Sequence, residues 1–149
     1  MANVHDVAAY ILKKIGKPVT AMKLEKLAYY CQAWSLVWDE RVLFSERVEA
    51  WANGPVCPAL YRLHRGEFLI HRWTFGESGQ LDQQAKETVD AVLGFYGDKT
   101  PQWLSDLTHA EDPWRQARAR AGATPGEWCT QEITLEDMAE YYGSIGITA

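Results

Sequence analysis

The sequence predicts a mainly α fold with a minor β part (α+β): a compact single-domain helical fold of about six or seven helices with a small two-stranded β-hairpin. Three observations predict it. Apolar residues recur at three-to-four spacing along most of the 149 residues, the period of a helix with one buried face. These stretches open on capping residues (Asn3, Thr20, Thr100, Thr134) and close near glycines. Alternating, β-like residues are confined to the segment from Val42 to Val56.

Asn3 caps a first helix, with Val4, Val7, Ala8, Ile11, Leu12 and Ile15 along one face, ending near Gly16 before Pro18. Thr20 starts a longer helix in which Leu24, Leu27, Ala28, Cys31, Trp34 and Trp38 keep the same period, while Lys23, Glu25, Lys26 and Gln32 are expected to point elsewhere. These two helices are the expected core pair. Val42–Phe44 and Val48–Trp51, three residues apart, read as the hairpin. The Asn53-Gly54-Pro55 corner follows: Asn53-Gly54 suits positive φ, Pro55 fixes the next backbone angle, and Pro58 suits the first turn of a helix that stops near Gly66. Phe68 to Phe75 reads as an irregular aromatic link, and Gly76, Ser78 and Gly79 as a mobile loop. A helix is expected from about Asp82 to Tyr96, broken by Gly97. Thr100-Pro101 and Asp112-Pro113 each read as a cap followed by proline, opening two short helices. A last helix starts at Thr134, runs through Met138, Tyr141 and Tyr142, and ends at Gly143.

Residues 1–149 are the size of one domain and, at 47% hydrophobic content, can form a self-sufficient core. No apolar run approaches the roughly 18 residues needed to span a bilayer, and the first residues lack a signal pattern, so a soluble, cytoplasmic protein is expected. Cys31, Cys57 and Cys129, odd in number and far apart, fit small buried hydrophobes in a reducing compartment. The net charge of −5 disfavours nonspecific phosphate binding. It is unevenly spread. Residues 1–75 carry ten Lys or Arg against seven Asp or Glu, and residues 76–149 carry five against thirteen. Such a field can steer a basic partner, or simply be a solvated acidic surface.

Motifs for chemistry are sparse. Cys57, His64 and His71 lack the close ligand pairs of structural zinc sites, so no metal and no cofactor are expected. No nucleophile elbow and no phosphate-binding glycine loop occurs, and no catalytic residue is assigned. His109, close to Glu111 and Asp112, has the composition of a general base. The same residues equally suit a helix end, a turn and a new cap. Arg62, His64, Arg65, His71 and Arg72 with Trp73 read as a solvated basic face rather than a phosphate contact. Of the seven tryptophans, Trp34 is the expected core residue. Trp51 and Trp114, beside proline-fixed turns, are candidates for a partly exposed surface.

Three blocks in order carry a resemblance: Met22-Lys23-Leu24-Glu25-Lys26-Leu27-Ala28-Tyr29-Tyr30-Cys31-Gln32-Ala33-Trp34; Glu49-Ala50-Trp51-Ala52-Asn53-Gly54-Pro55-Val56 with Tyr61; and Leu107-Thr108-His109 with Pro113-Trp114. Over nearly its full length the chain resembles the Panacea domain, the SocA-like antitoxin family also labelled phage-associated proteins. The resemblance implies a mostly helical fold with a small β element. It also implies an antitoxin that binds and neutralises a co-encoded protein toxin by direct contact. One branch of the family instead acts as an adapter that delivers its toxin to a protease; a small hydrolase using His109 is the reading from a different class. A separate DNA-binding module is not expected, so neither nucleic acid on its own nor a membrane is an expected partner. The family accepts very different toxins. The partner-binding or motif residues implied are Trp51, Gly54, Pro55, Val56, Tyr61, Thr108, His109, Pro113 and Trp114.

Overall fold

The structure, a computed structural model, describes residues 1–146. Helix α1 (Val4–Ile15) opens on an Asn3 capping box, in which Asn3 and Asp6 satisfy one another's backbone N–H, and closes on Gly16 in the left-handed conformation. A two-residue strand β1 (Val19–Thr20) leads into α2 (Ala21–Trp38), capped by the Thr20 hydroxyl. Strands β2 (Val48–Trp51) and β3 (Gly54–Val56) precede α3 (Pro58–His64) and β4 (Leu69–Ile70). Then come α4 (Gln83–Tyr96), α5 (Pro101–Ala110), α6 (Asp112–Ala121), β5 (Glu132–Ile133) and α7 (Leu135–Ile145). This is the expected mainly α architecture, with seven α-helices among the described residues.

Helix α2 is the axis. It touches α1, α4, α5 and α7 as well as β3, and every residue from Leu24 to Ser35 is buried. A helix surrounded on all sides has no solvent face, so the expectation that Glu25, Lys26 and Gln32 point away from the core fails: all three are buried. Lys23 lies further out and donates to the Gly97 carbonyl at 2.6 Å. Trp34 is fully buried, as expected, and donates from Nε1 to the Tyr96 hydroxyl at 3.1 Å.

The hairpin keeps the expected strand Val48–Trp51 but not its expected partner. Val42–Phe44 is not a strand, because the Gln32 side chain takes the place of a partner strand: its Oε1 accepts from Leu43 N–H at 2.8 Å and its Nε2 donates to the Phe44 carbonyl at 2.6 Å. The antiparallel hairpin is instead β2 with β3, turning at Ala52-Asn53, with Trp51 opposite Gly54 and Ala50 opposite Pro55. Gly54, at φ 121°, has the positive φ, and Asn53 does not. Pro55 is tolerated because β3 is an edge of the sheet β3-β2-β5. The aromatic link between Phe68 and Phe75 includes β4, which pairs with β1. Ser78–Gln80 in the expected loop forms a short 3₁₀ turn.

Two further helix boundaries differ from expectation. Helix α6 is preceded by Glu111, and no side chain caps its first turn; the Glu111 carboxylate is held inside the core instead. Helix α7 continues through Gly143 to Ile145, and the Tyr142 carbonyl accepts from Gly146 N–H at 3.3 Å to complete a left-handed cap.

Gly54→Ala should destabilise by about 1–3 kcal/mol in chemical denaturation, through backbone strain and a Cβ 2.6 Å from the buried Lys26 Cε. Gly76→Ala should cost more, because its Cβ would fall 2.2 Å from the backbone of His5, which cannot turn aside as a side chain can. Trp34→Ala is expected to cost about 3–5 kcal/mol by the same measurement.

Candidate functional site

Two adjacent charges of α2 organise the corner. Glu25 Oε1 accepts from Cys57 N–H at 2.8 Å, at the start of α3, and Glu25 Oε2 meets His64 Nε2 at 2.6 Å, at its end. One carboxylate thus holds both ends of a seven-residue helix. Lys26 Nζ donates to the Pro55 carbonyl at 3.2 Å, on the β3 edge that proline leaves without an N–H. Its stem passes over Gly54, where any side chain would collide with it. Burial pushes the Lys26 ammonium down to about 8, with Glu25 only partly opposing the shift.

The third sequence block closes on the same point. Thr108 Oγ1 would stand 3.2 Å from a Cβ on Gly54, so Lys26 and Thr108 both press on the one residue that has none. Ser105 donates to the Asn53 carbonyl at 2.9 Å. The Trp114 indole donates to the Trp51 carbonyl at 2.8 Å and stacks on the His109 ring at 4.1 Å. His109 Nε2 is buried without a hydrogen-bond partner among the described residues. Burial pushes the imidazole below its usual value, and its hydrogen bond to the Asn53 backbone only partly opposes this.

Of the two carboxylates that follow His109 in the sequence, Asp112 is exposed and Glu111 is buried. Glu111 turns inward, where Tyr30 and Tyr142 each donate to its Oε1 at 2.7 Å. Because Tyr142 gives its only proton to Glu111, Tyr29 donates to Tyr142 across 3.0 Å. Burial raises the Glu111 carboxyl above its usual value, against the two tyrosine hydrogen bonds. His64 and Trp73, read as part of a basic face, are buried too: His64 on Glu25, and Trp73 donating to His5 Nδ1 at 3.2 Å. All three cysteines are buried and unpaired, and burial pushes the Cys57 thiol up to about 12. Among the described residues no cluster of metal-ligating side chains occurs, and no helix is long and apolar enough to cross a membrane.

Above the corner lies an apolar groove of about 420 Å³, lined by Met22, Lys26, Trp51, Val56, Tyr61 and Trp128 among others. Trp51 meets Tyr61 edge-on at 4.8 Å and Trp128 at 5.1 Å. Trp128 is 67% exposed, yet its loop is anchored. The buried guanidinium of Arg118 donates to the carbonyls of Ala50, Thr124 and Glu127, at 3.0, 2.9 and 2.7 Å, and lies over the Trp114 ring. Sequence reasoning missed Lys26, Arg118 and Trp128. A lysine or arginine in a helix looks solvated, and Trp128 sits in a loop without periodicity.

Of the residues singled out in the sequence, Gly54, Pro55, Val56, Thr108 and Pro113 are buried, whereas Trp51, Tyr61, His109 and Trp114 are half-buried. All lie on the three segments that meet around Gly54. The family model described as antitoxin SocA-like, Panacea domain, matches residues 24–115. The chain belongs to this family. It is also 29% identical over 110 residues to Antitoxin SocA of Caulobacter vibrioides, a match covering 65% of this chain and 58% of that protein. The chain thus spans less than two thirds of that relative's length. No solved structure matches. Membership of the SocA-like family supports an antitoxin role, and the resemblance seen in the three sequence blocks stands.

The buried Lys26 ammonium gives a pH signature with a definite sign. Its proton is lost near 8 in the folded chain and near 10.5 in the unfolded one, so the unfolded state binds more protons between these values and stability from this group rises with pH. At pH 7 the burial costs about 3 kcal/mol. Lys26→Met should therefore be more stable than the parent at pH 7, and the difference should shrink towards pH 10, as measured by paired denaturation curves.

Proposed function

We propose that this chain is a non-enzymatic antitoxin that neutralises a co-encoded protein toxin by direct contact, acting in the cytoplasm. The groove bounded by Trp51, Tyr61 and Trp128 is the centre of the contact. The observation that carries this reading is the exposed Trp128 indole set against Trp51 on an anchored loop, in a member of an antitoxin family. Exposed tryptophans on a rigid base lose little conformational entropy on binding and dominate interfaces energetically. Gly54, Pro55, Val56, Thr108 and Pro113 act from beneath, by holding Trp51 and Tyr61 in place. His109 and Trp114 support the back of the hairpin. Stable neutralisation would bury roughly 1,600 Å² in all, of which the groove is the core.

The test is co-expression with the toxic product of the neighbouring gene, scored by growth and by pull-down. The parent chain should restore growth and co-purify with the toxin. Trp128→Ala should keep its melting behaviour, because the ring is mostly in water, and bind the toxin roughly 30-fold more weakly. Absence of both rescue and co-purification for the parent chain would overturn the antitoxin reading. Undiminished rescue by Trp128→Ala would move the contact away from this groove. A fall in toxin level during rescue, seen only when a protease is present, would replace blocking by delivery.

A further inference from the structure

The chemistry at the base of the groove is more specific than its apolar walls. Lys26 is a residue of the lining, is 1% exposed, and makes one hydrogen bond among the described residues, to the Pro55 carbonyl. An ammonium has three N–H donors, so two are unused. Among the described residues no salt bridge neutralises it. The adjacent carboxylate of Glu25 has both oxygens engaged, with Cys57 N–H and with His64. Arg65 and Glu67, which also line the groove, bring opposite charges. A buried cation with spare donors beneath aromatic walls is costly on its own and gains from an anion brought against it with the water excluded.

We infer that Lys26 is the anion-receiving group of a docking groove that takes a segment of the partner protein in which an Asp or Glu side chain adjoins a large apolar side chain. The carboxylate goes to the unused donors of Lys26, and the apolar side chain lies between Trp51, Met22 and Trp128. A volume of about 420 Å³ suits a few side chains rather than a folded domain, within the usual range of ligand sites. The groups facing Lys26 from the surrounding elements are Glu25 on its own helix, the Pro55 carbonyl from β3, and Thr108 and His109 from α5, and His64 from α3 lines the same groove bonded to Glu25. None of them supplies a free carboxylate. This inference rests on the toxin-binding reading only for the identity of the partner; the groove chemistry is testable on the isolated chain.

Two blocked peptides serve as probes, acetyl-Gly-Leu-Asp-Gly-amide and its counterpart with Asn in place of Asp. They differ in one charge. Each is titrated into the full chain while the indole N–H signals of Trp51 and Trp128 are followed by NMR. The Asp peptide should shift both signals saturably and bind about tenfold or more tightly than the Asn peptide. That preference should fade as the pH is raised past about 8, where Lys26 loses its proton, and should vanish in Lys26→Met. Equal binding of the two peptides, no response to the Asp peptide, or a preference that survives Lys26→Met would overturn the proposal. Should that variant fail to fold, the pH series on the parent chain decides in the same way. Failure of toxin rescue by the parent chain overturns the antitoxin reading and leaves the peptide result standing. Rescue together with equal peptide binding overturns the Lys26 proposal alone.

Discussion

The turning of Glu25 and Lys26 into the core from the second turn of α2 is the constraint on which the rest of the corner depends. Two adjacent residues on a helix point about 100° apart, so a single turn of α2 grips two different elements. Glu25 takes α3 by its first N–H and its last histidine. Lys26 takes the hairpin by the Pro55 carbonyl. Burying either charge without partners would be prohibitive. With them, the helix fixes where β3 ends and α3 begins. The stem of Lys26 in turn dictates glycine at position 54, and the bare backbone there lets Thr108 of α5 approach from the other side. Three stretches distant in sequence are locked together by one missing side chain.

The same constraint sets what the sequence could reveal. The apolar stripes of α1, α2 and α4 and the caps at Asn3, Thr20, Thr100 and Thr134 were legible, because periodicity and capping are local properties. The polar residues of α2 were misread for a physical reason. Charge normally marks a solvent face, and only tertiary contacts reveal that Glu25, Lys26 and Gln32 have partners inside. Gln32 also explains the misplaced hairpin, since a side-chain amide can occupy the backbone groups of Leu43 and Phe44 without leaving any β-sheet partner to find. The site was legible as a shape, with Trp51, Gly54, Pro55 and Tyr61 at one corner. Its floor and its outer rim were not, because Lys26 looks like surface and Trp128 like loop.

Behind the corner, Glu111 shows how an apparently reactive constellation becomes structure. Its carboxylate ends a chain of hydroxyls that runs from Tyr29 through Tyr142, with Tyr30 as a second donor. The Tyr30 ring stacks on Tyr96, whose hydroxyl accepts from Trp34. Helices α2, α4 and α7 are thereby joined at the start of α6 by directional bonds as well as by apolar area. Such a network tolerates little displacement, since each hydroxyl that moves leaves a buried polar atom unpaired. His109 is left on the opposite side, flat against Trp114, where its ring supports the hairpin through the indole bonded to the Trp51 carbonyl.

The extent of the family match divides the groove in two. Residues 24–115 include the floor and the fixed walls: Glu25, Lys26, Trp51, Val56, Tyr61 and His64. Met22 and Trp128 fall outside that range, and both are exposed. The matched range thus holds the base and fixed walls of the groove, and the exposed rim lies outside it. In the contact proposed above, those parts would have different physical roles. A fixed cation selects for charge and tolerates many shapes, while an exposed indole on an anchored loop selects for the apolar surface that fits against it. Keeping the base and varying the rim would let one fold meet dissimilar partners without rebuilding the clamp at Gly54. In that contact the fit to an apolar surface would reside at the rim, where substitution at Trp128 leaves the clamp at Gly54 in place.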